Sequence, residues 1–243
     1  IRLSDLFAVV MLFGVYSLLT AALFMDLDAV DVAFTEAAVG AGFTTVLMLS
    51  SLRLTRRWEA LPRRKSLVPL LAVTVTGAAL VYGIWDAPHL GDPSAPVHQH
   101  VSPYYIEQAQ LEVGMPNMVT AVLASYRGYD TFGETVVIFT AGLAVMLLLG
   151  IREETCVRRG APIGNQAVLR QVVRALIPLI LMYALYVQFH GDFGAGGGFQ
   201  AGVIFAAGFV LFDLVFGVGS ARAMLPPQWL RRLAAIGGLI YGG

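Results

Sequence analysis

The sequence predicts an all-α fold: a polytopic bundle of transmembrane helices, about seven spans, with a long outer loop that carries a short interfacial helix. Three observations predict it. Only 13% of the 243 residues are charged and 57% are hydrophobic, against about 25% charged in an ordinary soluble domain. The mean hydropathy is +0.72, and apolar runs close to the ~20 residues that cross a bilayer recur along the chain. The basic residues gather in alternate loops between those runs, as cytoplasmic loops do.

The elements follow in order. Leu6–Phe24 is free of charge, and Val32–Leu52 carries only Glu36. Leu67–Trp85 and Thr135–Ile151 are uncharged, the latter with Glu134 just before it. Ala175–Phe189 includes Pro178, which neighbouring helices can accommodate in a membrane. Phe199–Ala221 carries only Asp213, and Leu233–Gly243 reads as the opening of a seventh span. Alternating these spans puts Arg2, the cluster Arg53 to Lys65, the five arginines from Arg152 to Arg174, and Arg222, Arg231 and Arg232 on one side, leaving Arg127 alone on the other. Between spans three and four, Asp86 to Pro103 is proline-rich and reads as irregular. Pro116 suits the first position of a helix, and Met118, Val119, Val122, Leu123 and Tyr126 recur at helical spacing, as in a helix lying in the interface. Asp130 and Thr131 are expected to cap the span that follows.

Composition excludes whole classes of function. Sixteen basic residues balance sixteen acidic ones, so the chain has no electrostatic footprint for nucleic acid. A single cysteine, Cys156, rules out a disulfide framework or a cysteine-bound metal cluster. No Ser/His/Asp or Cys/His constellation stands out, so no catalytic residue and no cofactor is expected. The chain opens on Ile1 and closes at Gly243 within an apolar run, so further sequence is expected at both ends.

Carboxylates inside spans are the first functional candidates, because a charge within a bilayer is costly. Glu36 lies more than one turn inside its span if Asp31 caps it, with Gly40 and Thr44 continuing its face as small residues that admit another helix. It is an ion-path candidate and the one candidate ligand for a sodium ion; the alternative is a rim carboxylate facing headgroups. Glu134 is a second ion-path candidate, although Thr131-x-x-Glu134 also has capping-box spacing. Asp213 is a third, with an arginine pair at a helix end as the competing reading.

The densest signal is the run from His190 to Gly202, which joins spans five and six. It is no phosphate loop, since no Gly-Lys-Ser/Thr follows. Gly196, Gly197 and Gly198 read either as a tight turn using positive φ or as non-helical backbone lining a cavity, with His190 as a titratable group beside it. His89, His98 and His100 share the outer loop with Asp92, but lack further ligands at metal spacing.

At these residues the chain resembles subunits of Mrp-type multisubunit cation/proton antiporters and the related membrane-bound hydrogenases. Asp31-Val32-Ala33-Phe34-Thr35-Glu36-Ala37-Ala38-Val39-Gly40 is similar to the C-terminal extension of the antiporter's large, A-type subunit. Asn117 to Leu123 and Tyr126 to Glu134 are similar to the next part of that extension, and His190-Gly191 with Gly196 to Gln200 resembles the B-type subunit. Asp192 stands where the family has a second histidine, and Ala195 where it has proline, so a proton role for that histidine does not carry over.

The resemblance implies a fusion of the A-type tail to the B-type subunit: a three-span region at 1–85, an outer loop, interfacial helix and one span at 86–165, and a B-type region at 166–243. It also implies a non-enzymatic transporter subunit in a bacterial or archaeal cytoplasmic membrane, exchanging Na+ for H+. Its partners would be the other antiporter subunits, complex-I-like proton channels among them, and membrane lipid. A hydrogenase- or ferredoxin-linked ion pump and a non-conducting scaffold are the alternatives.

Overall fold

A computed structural model describes residues 3–52, 55–59, 67–149, 167–217, 220 and 223–242. The basic residues Arg2, Arg53, Arg63, Arg64, Lys65, Arg152, Arg158, Arg159 and Arg222, together with Cys156, lie outside them. The described chain is helical, with one isolated antiparallel bridge between Asp5 and Trp58.

Helix α1 is Leu6–Asp26, started by the Asp5 side chain, which accepts from the Phe7 N–H at 3.1 Å. Helix α2 runs over Val30–Leu52, but its stretch Ala37–Thr44 is wound as a wider π-helix. Helix α3 is Leu67–Ile84. A single turn, α4 at Pro96–Gln99, leads to α5 at Val101–Val113. Helix α6 at Met118–Ala121 continues as a π turn over Val122–Tyr126. Then come α7 at Gly128–Leu149, α8 at Ala167–His190, α9 at Gly198–Phe216 and α10 at Pro227–Gly242. Six of these, α1, α2, α3, α7, α8 and α9, are long and apolar enough to cross a membrane. The fold is the multi-pass helical membrane architecture expected.

Packing divides the helices. Helices α8 and α9 pair closely, burying Val173, Ala184, Val187, Ala201 and Val215. The α1–α2 hairpin buries Val10, Ser17, Ala21 and Ala33, and the π stretch of α2 lies along α9. Helix α10 packs on α7, where Tyr241 stacks on Phe132 at 6.5 Å. No residue of α3 is buried.

Basic residues mark one end of the bundle. Arg57 reaches back to Asp5 at 2.7 Å, and Arg170 and Arg174 at the start of α8 lie over the Phe216 ring at the end of α9. The α8–α9 loop and the start of α2 lie at the opposite end, since Gly196 N–H donates to the Asp31 carboxylate.

Several local expectations are corrected. The stretch Asp86 to Pro103 is not irregular throughout, because α5 begins at Val101; Pro103 sits in its first turn, where no backbone donor is needed. Asn117, not Pro116, starts α6, with its side chain accepting from the Val119 N–H at 2.9 Å. Asp31 does not cap α2; Ala29 holds that position and Asp31 lies in the first turn. Helix α7 starts at Gly128, ahead of Asp130 and Thr131, so neither caps it. Asp130 pairs with Arg127 at 2.6 Å instead. Helix α9 stops at Phe216 rather than Ala221, where Gly217 takes φ 91°. Helix α10 starts at Pro227 and takes in Arg231 and Arg232, which were expected in a loop; it is not among the six described helices long and apolar enough to cross a membrane.

Candidate functional site

The α8–α9 loop organises the site. Its first N–H groups cap α8: the His190 carbonyl accepts from Phe193 N–H at 2.9 Å and Gly194 N–H at 3.0 Å. Glycine is needed at two points that follow. A Cβ on Gly196 would lie 2.6 Å from the Val187 carbonyl oxygen, and Gly197 holds φ 138° as it opens α9. Backbone therefore packs on backbone, which is the tight turn anticipated. The same turn also lines a cavity, so the two readings of the glycine run are not exclusive.

Two distant segments are fastened to this loop. Asn117 donates through Nδ2 to the carbonyls of Gly194 at 2.9 Å and Gly191 at 3.3 Å, and its own N–H donates to the Asp192 carbonyl. The Thr120 hydroxyl also donates to the Gly191 carbonyl, at 2.6 Å. From α2, Asp31 Oδ1 accepts from Gly196 N–H at 3.3 Å, and the Thr35 hydroxyl accepts from Gln200 Nε2 at 2.6 Å. Gln200 is only 9% exposed, so this amide is satisfied where an unpaired one would be costly. Segments 31–36, 117–120 and 190–200 thus meet at one end of the bundle.

A cleft of about 730 Å³ opens where they meet. Asp31, Thr35, Glu134, Gln200 and the three glycines Gly196 to Gly198 contribute to its wall, with α6 and α7 supplying much of the rest. Glu134 enters it from the second turn of α7, so its capping-box reading is overturned: the Thr131 hydroxyl donates to the Leu123 carbonyl at 2.9 Å instead.

The remaining candidates are dispersed. Glu36 is half-buried at the entry to the π stretch, roughly 9 Å along α2 from its start at 1.5 Å per residue. A Cβ on Gly40 would meet Glu36 Oε1 at 2.6 Å and Ser17 Oγ at 2.5 Å, so only glycine lets the carboxylate and α1 approach together. The extra residue of the π winding makes Thr45, not Thr44, the residue that meets α1, against Gly14. Its hydroxyl donates to the Gly40 carbonyl at 3.1 Å. His190 stacks on Tyr186 at 5.0 Å with Nε2 toward Gly194, and it is not among the residues that line the cleft. Asp213 sits at the opposite end, one turn before the Phe216 ring that Arg170 and Arg174 cover. Among the described residues no group of three or more His, Cys, Asp or Glu could hold a metal ion.

Sequence reasoning did not single out Asp31, Thr35, Asn117, Thr120 and Gln200 as site residues. Their signal was the concentration of short hydrogen-bonding side chains at span ends. Outside the spans, Glu112 of α5 accepts from the phenols of Tyr104, at 2.7 Å, and Tyr126. Those two donors hold the Glu112 carboxyl below the usual carboxylate range, and the bond to Glu112 pushes the Tyr126 phenol up to about 12.

Comparison with known proteins covers nearly the whole chain. Residues 168–243 match the domain related to the MnhB subunit of Na+/H+ antiporter, while residues 1–57 match the MbhD component of MBH and residues 63–155 match its MbhE component. A probable K(+)/H(+) antiporter subunit of the A/B kind from Rhizobium meliloti is 29% identical, covering 84% of this chain and 23% of its own length. A putative antiporter subunit of the mnhB2 kind from Staphylococcus epidermidis is 37% identical over 76 residues, 31% of this chain and 53% of its own. An uncharacterized protein of Methanocaldococcus jannaschii is 28% identical over 73% of this chain and 69% of its own length. Among solved structures, a chain of the Mrp complex from Dietzia sp. DQ12-45-1b superposes with a TM-score of 0.65 at 30% identity, covering 87% of this chain. The chain spans about a quarter of both the Rhizobium protein and the Dietzia chain.

Proposed function

We propose that the chain is a membrane subunit of the Mrp/Mnh antiporter type and works in a multisubunit monovalent cation/proton antiporter as an A-type tail, 1–165, joined to a B-type region, 166–243. One observation carries this reading: three segments far apart in sequence converge on a cleft that sets Asp31, Thr35, Glu134 and Gln200 in an otherwise largely apolar wall, with Glu36 one residue beyond Thr35 on α2. A carboxylate oxygen accepts either a proton or a hard cation, which is the exchange an antiporter needs. The relatives' names divide between Na+ and K+; Na+ is the cation proposed here, with protons as the counter-ion. Partners are the other members of the complex, proton-channel subunits included, in the cytoplasmic membrane of a bacterium or archaeon. This chain contributes intramembrane carboxylates rather than a complete pathway.

The test at the cleft is Glu134→Gln. A glutamine would serve as well in a capping box, but it cannot exchange a proton for a cation. Cation-driven proton flux in everted membrane vesicles is expected to fall to background at normal complex assembly. Full flux would remove Glu134 from the path. The matches to MbhD and MbhE favour a second reading, a hydrogenase-linked ion pump. Nickel–iron or iron–sulfur proteins co-purifying with the chain would establish that reading in place of antiport.

A further inference from the structure

A serine of α1 stands in a position that the cation path does not yet use. Ser17 is 1% exposed, in the wall that α1 presents to the π stretch of α2. Its Oγ and Glu36 Oε1 converge on the same point, 2.5 and 2.6 Å from where a Gly40 Cβ would stand. Among the described residues no hydrogen bond engages either oxygen. A hydroxyl in a helix usually donates to the carbonyl one turn back, as Thr20 does to Tyr16 at 3.0 Å. Ser17 leaves that option unused and faces the carboxylate across a gap that glycine alone keeps open.

We propose that Ser17 is a positioning residue for Glu36: the two oxygens flank the space that Gly40 leaves open, and when the carboxylate turns into that space the Ser17 hydroxyl donates to it and holds it oriented for the cation. This rests on the reading of Glu36 as a transport carboxylate. Chemistry supports the assignment. A hydroxyl is one donor with two acceptor lone pairs, so it steadies an anion without adding charge, and it can still turn a lone pair to a passing cation. Hydrogen bonds to charged groups are stronger than neutral ones, the more so out of water. The π winding that begins just after Glu36 fits the same role, because such turns set a side chain off the regular helical track and recur at functional sites.

The experiment is Ser17→Ala in the complete complex, read as the cation concentration giving half-maximal proton flux in vesicles. Removing one hydrogen bond to a charged group should raise that concentration roughly tenfold, with the maximal rate changed by less than about twofold. Complex assembly should be unaffected, since alanine differs only by the lost oxygen. An unchanged half-saturating concentration in assembled Ser17→Ala complex overturns the proposal. Should alanine impair assembly, Ser17→Cys fills the space with a weak donor and carries the same expectation. Glu36→Gln measured in parallel separates the two ideas. Full flux in that variant defeats the transport carboxylate itself; lost flux there with unchanged Ser17→Ala kinetics defeats only the role of Ser17.

Discussion

At the scale of single residues, the clearest contrast lies between two acids, Glu112 and Glu134. Glu112 sits outside the spans and is held by two phenols, with the Tyr105 ring 4.9 Å from that of Tyr126. Its carboxyl is depressed when folded, so its contribution to stability is complete above the ordinary glutamate range and is lost as pH falls through the lowered value. The hydrogen-exchange protection of 101–126, taken relative to the intrinsic rate at each pH, is therefore expected to fall in acid, and Glu112→Gln should make that protection nearly independent of pH below neutrality. A wild-type segment equally protected at neutral and acid pH would contradict the account. Glu134 makes no such outer lock. It stands in the cleft wall with the glycine loop, and the capping spacing that made it ambiguous came from a helix start misplaced by a few residues.

At the scale of elements, the glycine loop is where packing tolerates least change. Gly197→Val places a branched side chain at φ 138°, and Gly196→Ala drives a methyl onto the Val187 carbonyl. Both substitutions should deplete the assembled complex on native gels, while Gly198→Ala, whose Cβ would stand 3.6 Å from Gln188 Oε1, should be tolerated. Normal assembly with Gly197→Val would mean the turn does not hold α8 to α9. How much of this was legible in the sequence follows from range. The spans were readable because uncharged runs of bilayer length are rare outside membranes, and the glycine turn because only such composition permits positive φ. The helix starts at Gly128 and Val101 were not, since ends are set by caps competing over a few residues. The π stretch of α2 has no composition of its own. Convergence of Asp31, Asn117 and Gly196 was hidden because the bonds that create it join residues 71 to 165 positions apart, beyond any local periodicity. Resemblance placed the three segments in order; only the fold put them in one place.

At the scale of the whole molecule, helices laden with exposed leucine, valine and tyrosine meet lipid or partner proteins, and α3 buries none of its residues against the rest of the chain. Association between membrane helices depends on close packing rather than on escape from water, so a chain this loosely packed is expected to need partners for a sealed path. Purified alone into proteoliposomes, it should show no cation/proton exchange; robust exchange would contradict its role as one component among several. The account as a whole turns on whether carboxylates on this chain move ions. Glu36 is the decisive one, because its surroundings, Gly40 and Ser17, are shaped around it. Glutamine is nearly isosteric, so Glu36→Gln should leave the complex assembled and abolish Na+-driven proton flux, with Glu36→Asp keeping part of it. Full flux in assembled Glu36→Gln complex would contradict the account.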